Sequence, residues 1–222
     1  MQLLFVRHAE SVGNQARRMQ GQADCELSPT GQWQAEKLAK RLLAEAWCPD
    51  HVYSSPLKRA RQTAQVLLNA FAKVALVRAA APLESVEALK ELDNGVFQGL
   101  TWQEAQTAYP TLCRELETSL EVLPIPGAES LEQARDRARA FVQRLLQQHD
   151  NHDRIWIVTH GGILQFLVAE LLGCDRTWGF SIRSTALFEF WLDCSRWHSD
   201  QNRWNTALWQ IRRFNDTQHL GS

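Results

Sequence analysis

Two histidines close apolar runs in this chain. Gln2–Val6 leads into Arg7-His8, and Ile155–Thr159 leads into His160-Gly161-Gly162. A third run, His51–Ser54, leads into Ser55 and a segment carrying Lys58 and Arg59. As neighbours in one parallel sheet, these runs would bring two imidazoles and two guanidiniums, Arg7 and Arg59, to a single pocket. That pocket would lie beyond the carboxyl ends of the strands, where open α/β sheets bind their ligands. The set suits a phosphoryl group. A guanidinium is planar, permanently charged and matches phosphate oxygens two at a time. A neutral imidazole nitrogen is a competent nucleophile, and its attack gives a phosphohistidine that water can hydrolyse. Fixed cations offset the charge on the transferring oxygens, and helices starting after Ser55 and His160 aim amide N–H groups at the anion. An acid must still protonate the leaving alcohol. Spacing alone does not choose among Glu10, Asp24, Glu87, Glu91, Asp93 and Glu104.

The frame that must hold these groups is legible in outline. Ser28-Pro29 is a hydroxyl cap followed by a first-turn proline, and Ala35, Leu38, Ala39, Leu42, Leu43 and Ala46 continue at helical spacing. Ser55-Pro56 repeats the start signal, with Leu57, Ala60, Ala64 and Leu67 as the buried stripe. Val74–Val77 reads as a strand. Thr101–Glu104 is a capping box for a short helix that must end by Tyr109-Pro110, and Ser130–Gln133 is a second box for a long amphipathic helix. A helix after Gly162 stops at Gly173, and Ala186–Leu192 and Thr206–Phe214 read as two antiparallel strands. This alternation predicts an α/β fold: a three-layer α/β/α sandwich with a mostly parallel central sheet, an antiparallel edge strand and a small helical lid. Residues 1–222 read as one domain, with 83–127 as the lid insertion.

Composition narrows the function. The chain has 222 residues, 45% of them hydrophobic, enough for a large core. Net charge is −1, which argues against nucleic acid or an anionic membrane as a partner. No apolar run approaches the ~20 residues of a membrane span, and the amino terminus lacks the pattern of a signal peptide. Five scattered cysteines form no disulfide framework and suit a reducing cytoplasm. No H-E-x-x-H, C-x-x-C, Walker A or G-x-G-x-x-G pattern occurs, so neither a metal nor a nucleotide cofactor is expected. His51, His149, His152, His198 and His219 carry no motif and read as surface or packing residues. Nine scattered tryptophans, without basic residues between them, read as packing rather than base stacking.

Arg7-His8-Ala9-Glu10-Ser11 with Asn14 resembles the Arg-His-Gly signature of the histidine phosphatase superfamily, which includes the cofactor-dependent phosphoglycerate mutases. Five further segments follow in the family's order. They are Gln20-Gly21 through Ala35, Ser54-Ser55-Pro56 through Ala64, Leu89 through Thr101, Pro126-Gly127-x-Glu129-Ser130, and Thr159-His160-Gly161-Gly162. The resemblance implies His8 as the phosphorylated nucleophile and Glu91 as the proton donor. It implies Arg7, Arg59 and His160 around the phosphoryl group, assisted by Asn14 and the Gly161 amide, with Ser11, Gln20 and Gly21 at the substrate mouth. Two positions depart from the pattern: Ala9 stands where glycine is usual, and Ser184 lies where an asparagine is common.

The implied activity is hydrolysis of small phosphate monoesters, fastest at acidic to neutral pH and indifferent to chelators. Mutases of the family continue past the acid with an Arg-x-Tyr-Gly stretch and a long basic insertion. Here Glu91 is followed by Leu92-Asp93-Asn94-Gly95 in a short chain. A phosphoglycerate mutase is therefore the second reading, and a catalytically silent phosphate- or partner-binding protein the third. The expected partner is a small phosphorylated molecule, with a homodimer through the C-terminal edge strands as a further expectation.

Overall fold

A computed structural model of the chain describes residues 1–74, 81–177, 180–196 and 204–221. Strand β1 (Gln2–Arg7) is apolar throughout its centre because both its faces are covered. Leu3 and Phe5 enter one apolar cluster, and Leu4 and Val6 enter another on the opposite face. The same alternation runs along β4 (Arg154–Thr159), with Ile155 and Ile157 on the first face and Trp156 and Val158 on the second. Helices α6 (Leu131–Gln148) and α7 (Gly161–Leu172) cover the first face. Helices α2 (Pro29–Ala44) and α3 (Lys58–Lys73) cover the second. Trp156 is fully buried there, edge-on to Phe71 at 5.1 Å between centroids. Each such large apolar side chain contributes about 1.5–3 kcal/mol on burial.

With β2 (His51–Ser54), β3 (Leu83–Ser85), β5 (Leu187–Leu192) and β6 (Trp209–Asp216), the sheet has the order β3-β2-β4-β1-β5-β6. Strands β1 to β4 are parallel, and β5 and β6 add an antiparallel edge. This is the three-layer α/β/α sandwich anticipated above. The register pairs Arg7 with Thr159, so His8 and His160 leave adjacent strands at the same level.

Helix starts follow local chemistry. The Ser28 hydroxyl accepts from Gly31 N at 3.0 Å ahead of Pro29, a cap worth about 1 kcal/mol. Both expected capping boxes are present, at Thr101 and Ser130, and Gly173 ends α7 with φ 65°. Residues 75–77 of the expected strand at Val74–Val77 lie outside the described residues, and Val74 itself ends α3. The strand beside β2 is Leu83–Ser85, inside the expected lid insertion. Those three residues therefore belong to the sheet and not to the helical excursion. The short helix ends before Tyr109-Pro110 as expected, and a second helix starts at Pro110, so α4 (Trp102–Ala108) is followed by α5 (Pro110–Thr118). The pair encloses its own small core of Phe97, Ala105 and Cys113. Among the described residues, no helix is long and apolar enough to cross a membrane.

Candidate active site

His8 and His160 face each other beyond β1 and β4, with ring centroids 5.0 Å apart. Both are buried. His8 Nδ1 lies 2.6 Å from the Ala9 carbonyl oxygen, which can only accept, so Nδ1 carries the proton and donates it. The lone pair is thereby left on Nε2. At His160 the order is reversed. Arg59 Nε donates to His160 Nδ1 at 3.2 Å, so Nε2 holds the proton and gives it to Ser55 Oγ at 2.7 Å. Backbone and hydroxyl partners thus select a different tautomer on each ring.

Electrostatics keep both rings neutral. Burial, then the charges of Arg7 and Arg59, hold the His8 imidazole well below its ordinary pKa. Burial first, then His8, Arg59 and Arg7, does the same to His160. The guanidiniums are lowered by burial as well, and the Glu91 carboxylate opposes that shift. Arg59 is 1% exposed and anchors the 21–23 loop through the carbonyls of Gly21 (2.8 Å) and Ala23 (2.6 Å). Arg7 donates to the Ile182 carbonyl, while its buried Nε has no partner among the described residues. An unpaired buried donor is costly. An anion in the adjoining cavity of about 260 Å³ would satisfy it.

That cavity is lined by Arg7, His8, Asn14, Gln20, Gly21, Arg59 and Glu91, among others. Glu91 reaches it from the loop after β3 and caps the start of α7. Its Oε2 accepts from Gly162 N at 3.1 Å, and its Oε1 accepts from Ile163 N at 3.1 Å and Leu92 N at 2.9 Å. A neutral imidazole, two permanent cations, a helix amino terminus and one carboxyl group thus surround a volume suited to a phosphate ester. Cations and amide donors dominate, a set made for an anion rather than for a metal ion.

The family model of the histidine phosphatase superfamily (branch 1) matches residues 3–207. The chain belongs to this superfamily. Phosphoglycerate mutase-like protein 4 of Arabidopsis thaliana is 36% identical over 75% of the chain and 69% of its own length. Phosphoserine phosphatase 1 of Hydrogenobacter thermophilus is 30% identical over the whole chain and 95% of its own length. The structure of a mycobacterial glucosyl-3-phosphoglycerate phosphatase superposes with a TM-score of 0.74 at 26% identity, covering 96% of this chain and 98% of that one.

The histidine phosphatase fold brings Arg7, His8, Arg59, Glu91 and His160 together, and it separates the candidate acids. Asp93 Oδ1 is used by Gly95 N within a turn, and Glu10 Oε1 accepts from the Ser28 hydroxyl. Asn14, Gln20 and Gly21 line the cavity. Ser11 is fully buried as the cap of α1 (Val12–Gln15), within 2.9 and 2.7 Å of the Asn14 and Gln20 amide oxygens, and meets the cavity only through them. Gly161 opens α7 beside Arg7, where a Cβ would sit 3.5 Å from Nε. Ala9 is absent from the positive-φ residues, so its replacement of glycine carries no backbone strain. Beside Ser184, Thr185 adopts φ 59° and donates its amide to the Arg7 carbonyl.

Sequence reasoning missed three contributors. Ser55 reads as a helix cap, yet α3 begins after Leu57 without a side-chain cap, and the Ser55 hydroxyl serves His160. Gly162 reads only as part of a motif, and its missing side chain is what admits Glu91. Arg137 looks like a solvated position on α6. Instead it donates to the carbonyls of Ala88 and Lys90 at 2.7 Å and pairs with Glu129, clamping the loop that carries Glu91. The Glu129-Ser130 pair was the available hint.

Proposed function

We propose that this superfamily member is a metal-independent phosphatase for small phosphate monoesters, working through a phosphohistidine at His8. The observation that carries the reading is the His8–Ala9 hydrogen bond, because it leaves the Nε2 lone pair free in a pocket of fixed positive charge. In the first step Nε2 attacks phosphorus, the P–O ester bond breaks, and the departing oxygen takes a proton from the Glu91 carboxyl group. Arg7, Arg59 and the amino end of α7 carry the charge of the transferring oxygens, with Asn14 and the Gly161 amide assisting. In the second step Glu91 accepts a proton from water, whose oxygen attacks the phosphorus. The P–N bond breaks, phosphate departs, and His8 regains its lone pair. His160, neutral and fixed by Ser55 and Arg59, holds Arg59 in register. Gln20 and Gly21 border the entrance, and the α4–α5 excursion forms the lid over it.

Phosphoserine heads the substrate panel, since the relative aligned over the whole chain is named for it. The test is rapid alkaline quench after brief contact with labelled phosphoserine and other monoesters, with phosphate release and 3-phosphoglycerate isomerisation measured in parallel. Label on His8 and phosphate release are expected. Efficient isomerisation with negligible release favours the mutase reading, carried by the plant relative's name. Absence of label, with His8→Ala fully active, removes the mechanism.

The same reading places the enzyme in the cytoplasm, where five cysteines outside any disulfide, one of them buried, persist reduced. It also pairs two copies along β6, where Ile211 and Phe214 are each 43% exposed. A monomeric mass by sedimentation equilibrium removes that pairing.

A further inference from the structure

The amino ends of the central strands carry a group of residues that the phosphoryl chemistry does not use. His51 opens β2, His149 caps the carboxyl end of α6, and Asp153 stands immediately before β4. These positions are scattered in sequence, and only the fold assembles them. One ligating atom from each lies within 4.8 Å of the others.

One of the two imidazole contacts to the carboxylate is a hydrogen bond, and the other is spaced for an ion. His149 Nδ1 lies 3.0 Å from Asp153 Oδ2, and His51 Nε2 lies 3.7 Å from Asp153 Oδ1. The second separation is too long for a hydrogen bond. It is close to the edge of a tetrahedron: with zinc bonds of about 2.0–2.2 Å, neighbouring ligand atoms sit about 3.3–3.6 Å apart. The two imidazole rings approach to 4.4 Å between centroids, tilted at 59°.

The surroundings match as well. Tyr53 Oη lies 2.8 Å from His149 Nε2. With the Nδ1 lone pair on an ion, Nε2 carries the proton and donates it to Tyr53, the outer contact that orients a metal-bound histidine. Asp150 N donates to Asp153 Oδ2 at 3.1 Å and fixes the carboxylate. His149 is enclosed, its side chain 4% exposed, whereas His51 is 41% exposed, so water has access on that side.

We propose that His51, His149 and Asp153 bind one divalent first-row transition ion, with Zn²⁺ the best match. Two imidazoles and one carboxylate are borderline donors that suit Zn²⁺ and exclude Mg²⁺ and Ca²⁺, which take all-oxygen shells. The ion takes no part in the reaction. β4 separates it from His160 by six residues, about 20 Å at ~3.3 Å each. It acts as a clasp joining β2, α6 and β4 at the end of the sheet remote from the pocket, and stabilises the native state by mass action.

Titration calorimetry with ZnCl₂ on tag-free, chelator-treated, full-length protein tests this. One Zn²⁺ per chain is expected, with the unfolding temperature rising as Zn²⁺ is added. His51→Ala removes an exposed side chain and should leave fold and phosphate release intact while abolishing both effects. Asp153→Asn should do likewise, and Tyr53→Phe should weaken binding about 10–100-fold. No binding by the wild type overturns the proposal. So does binding that survives His51→Ala but is lost in His8→Ala, which would place the ion in the pocket.

Discussion

Gly162 and Glu91 are in steric register: a Cβ built on Gly162 would lie 2.4 Å from Glu91 Oε1. The carboxylate occupies the space that any other residue would fill, and the Gly162 amide holds it there at 3.1 Å. The same position serves as a seat for the Glu91 carboxylate and as a filter on sequence.

Gly162→Ala should therefore displace the Glu91 carboxyl group without harming the fold. Alanine is the better helix former by about 1 kcal/mol, which offsets the cap lost from the start of α7, so the unfolding temperature should change little. Loss of a positioned acid costs about 10²–10⁴-fold in rate. Steady-state kinetics beside thermal melts check both halves. Unchanged kcat would separate Glu91 from the chemistry.

Ser55→Ala should leave the His160 Nε2 proton buried without an acceptor, at about 1–3 kcal/mol. For a chain of this size each kcal/mol is about 2–4 °C of melting temperature. Moving the proton to Nδ1 offers no escape, because Arg59 Nε already donates there. Activity and stability should fall together, and Ser55→Thr should recover part of each. A silent Ser55→Ala would mean that the tautomer of His160 is immaterial.

Arg137→Lys keeps the charge but loses the fork that spans Glu129 and the carbonyls of the 88–91 loop. Expected is a fall in kcat with KM for phosphate esters nearly constant, since no phosphate-binding cation is touched. Equal changes in both constants would show that the loop affects binding instead of proton transfer.

The pH profile follows from the two depressed imidazoles. Their folded-state pKa values lie below those of the unfolded chain, so between the two the unfolded state binds more protons. Stability thus falls as pH drops below about 6.5, the unfolded histidine value. His219, pushed down to about 4 mainly by burial, adds to the loss between about 6.5 and 4. The His8 imidazole, in turn, stays neutral through mild acid. The acid limb of kcat/KM should lie below pH 6.5, and a limb at or above that value would show His8 to be unperturbed. Urea midpoints across the same range measure the stability arm, and His219→Gln should flatten part of it.

Much of this site is legible in the sequence because continuous apolar runs have one use in an α/β fold. Gln2–Val6 and Ile155–Thr159 must be buried on both faces, and whatever follows them must emerge at the carboxyl edge. The choice of Glu91 is not legible from spacing alone. Glu91 meets the Gly162 and Ile163 amides of α7, far along the chain, whereas Asp93 accepts from Gly95 N and Glu87 pairs with Lys90. Leu83–Ser85 escaped as a strand because three residues with two polar ones carry no period. His51, His149 and Asp153 escaped because their proximity exists only once β2 and β4 are paired.

The unpaired Nε of Arg7 has a consequence for regulation. On the proposed mechanism this donor meets the same oxygens on an ester and on free orthophosphate. The contacts that recognise the reactant would then also hold the product, so orthophosphate should slow turnover as a competitive inhibitor, and initial rates at rising orthophosphate check this.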